Sequence, residues 1–258
     1  MAIRMIVTDL DRTLLRDDKT ISQYTAETLD ALRARGIPFI IATARPTRAV
    51  RQLMPWLRYD GAVFFNGAVV TAGEEKLQAY KVDGAFDIVT AILREKPETQ
   101  LSVEMDDCLY SNMSPESLGD WGSDYCRTAD FRETAGRQVE KILISSQRER
   151  AADWLKSYER FIPEGLYMQM SENTLIMVMN RQATKLNGIK LLAEHYGLGL
   201  DETAAFGDDH NDVEMLRACG AGVAVANAIP EAKAASGEVC GSNEADGVAR
   251  WIRKNVLT

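Results

Sequence analysis

The chain has 258 residues, 46% of them hydrophobic and 26% charged, with a net charge of −8. That length holds one large domain or a core with a smaller second domain, and the composition is that of a globular protein needing no disulfide or metal staples. The negative balance, with no dense Lys/Arg stripe, disfavours nucleic acid and anionic membrane surfaces as partners, although a bound cation and local positive groups can invert the potential within one cleft.

The first third alternates strand and helix signals. Ile3 to Thr8 is an almost continuous apolar run with β-branched residues, which predicts a strand buried on both faces. A helix follows, with Leu29 and Leu32 facing inward and an end near Gly36. Ile37 to Ala42 is a second apolar run, and Pro46 opens a helix carrying Val50, Leu53, Met54 and Leu57. Ala62 to Phe65 is a third short strand. This order implies a parallel sheet with right-handed crossovers.

From about Val82 to Gln182 the pattern changes. A helix (Phe86 to Arg94) precedes two strand-like runs around an Asp106-Asp107 turn and then a polar stretch. A strand (Lys141 to Ser145), a helix (Glu149 to Tyr158) and strands near Tyr167 to Met170 and Thr174 to Met179 complete it. Paired strands and longer loops predict an inserted α+β domain with an antiparallel sheet. The alternating pattern then resumes: helix Lys185 to Tyr196, strand Glu202 to Phe206, helix Asp209 to Ala218, strand Gly222 to Ala226, and a final helix with Val248, Trp251 and Ile252. The fold class expected is α/β, a doubly wound, mostly parallel, Rossmann-like core formed by residues 1–81 and 183–258, with residues 82–182 as the insert.

Cys108, Cys126, Cys219 and Cys240 show no CxxC pair and no His at metal-ligand spacing, so free thiols in a reducing compartment are expected. The N-terminus does not read as a signal peptide, and no apolar stretch approaches the roughly 20 residues of a membrane span. The expected location is the cytoplasm.

Four clusters carry the chemistry. Thr8-Asp9-Leu10-Asp11-Arg12-Thr13-Leu14 follows the first strand, at the sheet edge where open α/β folds bind ligands. Extended chain sends Asp9 and Asp11 to one side, and their repulsion is tolerable beside a cation or a shared proton; the alternative is a polar turn. Thr43-Ala44-Arg45 closes the second strand, where a hydroxyl can bind a phosphate oxygen or cap the following helix. Lys185 starts a helix, the end whose dipole disfavours a cation; it is either a solvated charge or the partner of a specific anion. Gly207-Asp208-Asp209-His210-Asn211-Asp212 holds three acids at a strand-to-helix turn, which suits a hard cation. Asp208 and Asp212 are four apart and so are expected to share one helical face. An acid-rich first turn is the alternative.

In order, these clusters resemble the signature motifs of the haloacid dehalogenase superfamily of phosphohydrolases: Asp9-x-Asp11-x-Thr13, Thr43, Lys185 and Gly207-Asp208-x-x-Asn211-Asp212. The insert after the second motif, Asn66-Gly67-Ala68, Gly222-Val223-Ala224 and Asn227-Ala228 are similar to the Cof-like (type IIB) branch, in which the insert is a cap. The resemblance implies that Asp9 attacks phosphorus to give an aspartyl-phosphate. Asp11 would be the acid and base. Mg²⁺ would be held by the Asp9 carboxylate, the Asp11 backbone carbonyl and the Asp208 carboxylate. Thr43 and Lys185 would contact phosphoryl oxygens, with Asp212 and Asn211 supporting the metal and phosphate shell. Arg45, Asn66 and Gly67 are expected in the substrate pocket. Arg12, Ala44 and Ala226 each stand where the family usually has Gly; no catalytic residue type is missing.

The implied activity is Mg²⁺-dependent hydrolysis of a sugar phosphate or similar small phosphate ester, with the cap excluding water and selecting the leaving group. Loops Glu104 to Cys108 and Glu172 to Thr174 are the expected selectors. Competing readings are a phosphomutase or phosphotransferase, a receiver-like phospho-acceptor and a purely regulatory fold; the full motif set and the chain length oppose the last two. His195 reads as a helix-surface residue and His210 as a variable loop position. Trp56, Trp121, Trp154 and Trp251 read as packing or cap-surface residues.

Overall fold

The structure, a computed structural model, describes residues 2–114, 125–145, 151–171 and 175–258. Trp121, the Glu149 start of the expected helix and the Glu172–Thr174 loop lie outside the described residues. In chain order the first segment comprises β1 (Met5–Thr8), α1 (Gln23–Ala34), β2 (Phe39–Ala42), α2 (Thr47–Leu53), β3 (Gly61–Phe64), β4 (Val69–Ala72) and β5 (Glu75–Ala79). The middle holds α3 (Ala85–Glu95), β6 (Leu101–Met105), β7 (Cys108–Ser111), β8 (Tyr125–Arg127), β9 (Lys141–Ser145), α4 (Ala151–Glu159), β10 (Leu166–Ser171) and β11 (Leu175–Asn180). The last segment has α5 (Lys185–His195), β12 (Thr203–Gly207), α6 (Val213–Ala218), β13 (Ala221–Ala224), α7 (Pro230–Ala235), β14 (Glu238–Val239) and α8 (Gly247–Asn255).

Contacts divide the chain into two compact units, Met1–Gln78 with Thr184–Thr258, and Ala79–Ala183. In the first, the described strands lie in the order β14-β13-β12-β1-β2-β3-β4-β5. Pairing is parallel from β14 to β3 and antiparallel between β3 and β4. Every residue of β1, β2, β3 and β12 is buried, as continuous apolar runs require when both sheet faces are covered. On one face Val7, Ile40 and Val63 pack with Ile189 and Leu192 of α5 and Met215 of α6. The fold is thus α/β and doubly wound.

The second unit is α+β. Its described strands run β10-β11-β9-β6-β7-β8, antiparallel except for the β7–β8 pair. Ile88, Val89 and Ile92 of α3 pack with Val103, Ile142, Ile144, Ile176 and Val178 of the sheet and Tyr158 of α4. The Asp106-Asp107 turn joins β6 to β7 with both aspartates at positive φ, the two-residue hairpin geometry that Asp tolerates. No described helix is long and apolar enough to cross a membrane.

Several expectations need correction. The hairpin partners β4 and β5, and the short β8, α7 and β14, are additional to the expected elements and carry no strong periodicity. The second helix stops at Leu53, because Met54 precedes Pro55 and is driven out of helical geometry (φ −133°, ψ 51°). Met54 and Leu57 are still buried, but Leu53 is exposed. The turn after β12 opens as a 3₁₀ segment, His210–Asp212, and α6 begins only at Val213. Glu104, expected in a loop, is buried on β6.

One packing contact bears directly on the site. Gly67 has φ +117°, and a Cβ there would lie 2.4 Å from Thr184 O and 2.6 Å from Thr184 N. Thr184 is the N-cap of α5, its hydroxyl accepting from Asn187 N at 3.1 Å. The loop after β3 therefore presses on the start of the Lys185 helix. Gly67→Ala should lower stability by about 2 kcal/mol or more, through strain and displacement together. Gly73→Ala, also at positive φ (+55°) but with nothing within 4 Å, should cost about half of that. Equal losses in thermal melts of the two variants would show that the Thr184 contact contributes nothing.

Candidate active site

Three neighbouring parallel strands bring the acids together. Thr8 is opposite Ile41 on β2 and Phe206 on β12, so the residues after each strand emerge at the same sheet edge. Asp9 N donates to Phe206 O at 2.9 Å, continuing the ladder by one residue. The backbone then turns tightly through Leu10–Leu14, with Arg12 at φ 58°. Thr13, two residues beyond Asp11, donates its hydroxyl to Asp208 Oδ1 at 2.7 Å.

The carboxylates of Asp9, Asp208 and Asp212 are all buried and offer oxygens within 4.8 Å of one another. Lys185 lies among them. Its side chain is 1% exposed, and Nζ donates to Asp9 Oδ1 at 2.8 Å and to Asp212 Oδ1 at 2.7 Å. A solvated lysine is thereby excluded. The other Asp212 oxygen accepts from Asp208 N at 2.9 Å and Asp209 N at 3.1 Å. The two acids thus meet through a loop closing on its own amides, and not through a shared helical face, because Asp208 precedes the first helical turn.

Charge in this cluster is costly. Burial pushes the Asp9 carboxyl well above its ordinary range; Lys185 opposes the shift, while Asp212, Asp208 and Asp11 add to it. Burial likewise raises Asp208, to about 6, against the Thr13 hydrogen bond and with Asp212 adding repulsion. Burial alone would lower Lys185, but Asp212 and Asp9 more than reverse that, and it stays protonated.

Asp11 belongs to a different environment. Arg45 grips its carboxylate with two hydrogen bonds, Nε at 2.6 Å and Nη2 at 2.7 Å, and Lys19 Nζ adds a third at 2.8 Å. Burial would raise this carboxyl too, but the hydrogen bonds and charges of Arg45 and then Lys19 hold it below the usual range. Lys19 is a site residue that the sequence did not reveal; it sits at positive φ in a polar turn, with no spacing signal to mark it.

Thr43 is buried after β2, where its hydroxyl accepts from Arg45 N at 3.1 Å. It is not the helix N-cap, a position Pro46 occupies. Thr43 O accepts from Asn66 N at 2.9 Å, and Asn66 Oδ1 accepts from Asn211 Nδ2 at 2.9 Å. Asn66 and Gly67 are buried and tie the β2, β3 and β12 loops together. Asn211 Oδ1 is buried without a hydrogen-bond partner among the described residues. Asn227, beyond β13, donates to Arg12 O at 2.7 Å and accepts from Asn243 N at 3.0 Å.

Residues 6–252 match the sequence profile of the haloacid dehalogenase-like hydrolases. The chain belongs to that family. Among its relatives is the 5-amino-6-(5-phospho-D-ribitylamino)uracil phosphatase YitU of Bacillus subtilis, 28% identical over 265 residues that cover 97% of this chain and 96% of the relative. A haloacid dehalogenase-like hydrolase from B. subtilis superposes with a TM-score of 0.85 at 24% identity, covering 97% of this chain and 99% of that one. A sugar phosphatase of haloacid dehalogenase subclass IIB gives 0.82 at 24% identity, covering 97% and 98%. These structural likenesses cover both units and show the fold.

The raised Asp208 carboxyl has a testable sign. Between its ordinary value of about 4 and about 6, the folded state keeps a proton that the unfolded state has released. The Asp208 contribution is therefore full at low pH and lost as pH climbs through about 6. In chelator, Asp208→Asn should raise the melting temperature by several degrees at neutral pH and change it little near pH 4. An equal shift at both pH values, in calorimetric scans, would refute the assignment.

Proposed function

We propose that the chain is a phosphatase for a small phosphate ester, a sugar phosphate or similar metabolite, working through an aspartyl-phosphate on Asp9. The observation that carries this reading is the Asp9–Lys185–Asp212 arrangement beside Asp208, buried at the carboxyl edge of a parallel sheet. The phosphatase activity of the relative YitU supports it.

An Asp9 oxygen attacks phosphorus in line while the bond to the leaving oxygen breaks, and Asp11 supplies that oxygen with a proton. Water then attacks the same phosphorus, Asp11 takes its proton, and inorganic phosphate leaves with Asp9 restored. Lys185 and Thr43 neutralise and orient the phosphoryl oxygens. Asp11 is ionised while Arg45 and Lys19 hold it, which is the form that accepts a proton. Its acid role requires an exchange of partners: an arriving phosphate ester draws the two cations away and lets the carboxyl rise.

A divalent cation fits the donor set. The Asp9 and Asp208 carboxylates and the Asp11 carbonyl are hard oxygens, and burial has pushed both carboxyls up in a way that a cation would relieve. When bound, Mg²⁺ would neutralise the carboxylates and polarise the phosphoryl group. Asp212, engaged by Lys185 and two amides, serves as the anchor of this shell. The inserted unit is assigned the selection of the leaving group.

A phosphate-release screen over small phosphate esters, with Mg²⁺ and with chelator, tests this reading. Asp9→Asn should lower turnover by about 10³-fold or more while leaving the protein folded, and chelator should abolish activity. Full turnover in that variant or in chelator rejects the mechanism, and accumulation of a phosphorylated isomer in place of inorganic phosphate would make the enzyme a mutase.

A further inference from the structure

Two of the four cysteines form a pair that the proposed chemistry does not use. Cys108 opens β7 and Cys126 is the middle residue of β8, the three-residue edge strand running parallel to β7. The register sets Cys126 opposite Tyr110. Alternation along β7 puts Cys108 on the same face as Tyr110, the less buried face of that strand. The two Sγ atoms are 3.2 Å apart, and no disulfide joins them. Cys126 is exposed and Cys108 half-buried, so small solutes reach the pair from solvent.

The other two cysteines behave differently. Burial pushes the Cys219 and Cys240 thiols up to about 12, which suppresses the thiolate that oxidation needs. A metal does not account for the Cys108–Cys126 pair. Among the described residues, the group of three or more candidate ligands is Asp9, Asp208 and Asp212, and two thiols alone do not make a tetrahedral soft-metal site.

We propose that Cys108 and Cys126 are a reversible redox site, closed to a disulfide by a small peroxide and opened by a dithiol. The Cys126 thiolate attacks one peroxide oxygen, the O–O bond breaks, and a sulfenic acid and one water result. The Cys108 sulfur then attacks the Cys126 sulfur, the S–O bond breaks, and the second water leaves. Two thiols lose two electrons and hydrogen peroxide gains them. The sulfurs must close from 3.2 Å to about 2.05 Å. A three-residue edge strand, among the most easily opened elements of a sheet, can make that approach. Once formed, the bond adds a covalent link between β8 and β7 to the three-residue ladder and to the bonds that Tyr125 and Thr128 donate to Met113 O and Ser111 O. This inference stands apart from the phosphatase reading and needs no substrate to test.

Folded protein would be treated with stoichiometric hydrogen peroxide, alkylated under denaturing conditions, and analysed by intact mass and peptide mapping. Two of its four thiols should disappear, one Cys108–Cys126 cross-link should appear, and dithiothreitol should reverse both. Amide exchange at 125–127 should slow in the oxidised form. Cys126→Ser and, independently, Cys108→Ser should keep their remaining thiols unlinked at the same dose. An unchanged thiol count, over-oxidised Cys126 without a cross-link, or bonds to Cys219 or Cys240 would each overturn the proposal.

Discussion

The structure of the site depends on one buried ammonium. Lys185 is almost fully enclosed and is met by two carboxylates at hydrogen-bond distance. Removing a charge from water costs several kcal/mol, which its partners offset only where geometry is good and every remaining lone pair is used. The surroundings supply much of this: Asp212 spends its second oxygen on two amides, the Asp9 backbone is held in register by Phe206, and Thr184, pressed by Gly67, caps the helix that delivers Lys185. With Asp208 added, three carboxylates face one ammonium. Burial raises the Asp9 and Asp208 carboxyls and that imbalance adds to the rise, which is why a hard cation suits the cluster.

Asp11, two residues from Asp9, is treated oppositely. Asp9 is buried among like charges and shifts up; Asp11 is half-open between two cations and shifts down. Paired carboxylates whose environments push their affinities for protons apart are how one site divides roles between acids. Here the division assigns Asp11 to proton traffic only if its cations are exchangeable. Lys19 and Asp11 are both partly exposed, and an ion pair open to solvent is worth little. The Lys19 pair can therefore yield to a dianionic ligand, whereas Arg45, less exposed and doubly bonded to Asp11, has to be drawn off by the ligand's own charge.

How far the sequence foretold this follows from how each residue signals. The first and last acidic motifs stood out because acids directly after buried apolar runs have few structural explanations. The α/β alternation was readable for the same reason: β1, β2, β3 and β12 are buried throughout and so nearly uniformly apolar. Lys185 was ambiguous, since nothing local distinguishes a buried lysine from a solvated one; its anions lie 176 and 27 residues away. Lys19 and the pairing of Cys108 with Cys126 were invisible because each depends on where a short, polar, non-periodic segment happens to fold. The end of α2 is written locally in the sequence: Pro55 follows Met54 directly, and its effect on the residue before it is a steric rule.

The departure at Arg12 shows how the family turn survives without its usual glycine. Arg12 occupies left-handed backbone, which costs a residue with a Cβ about 1–2 kcal/mol. The conformation persists because its surroundings overdetermine it. Asn227 Nδ2 holds the Arg12 carbonyl at 2.7 Å, and the Leu14 and Leu15 amides return to Asp9 O and Leu10 O at 3.3 and 2.8 Å. Asn227 is itself fixed by the Asn243 amide. These bonds clamp the turn from both sides and so fix the direction of the Asp11 carbonyl between them, the oxygen assigned to the cation. Backbone strain at this point is offset by polar contacts to the loop after β13, and a distant asparagine thereby preserves the geometry that a glycine would otherwise supply.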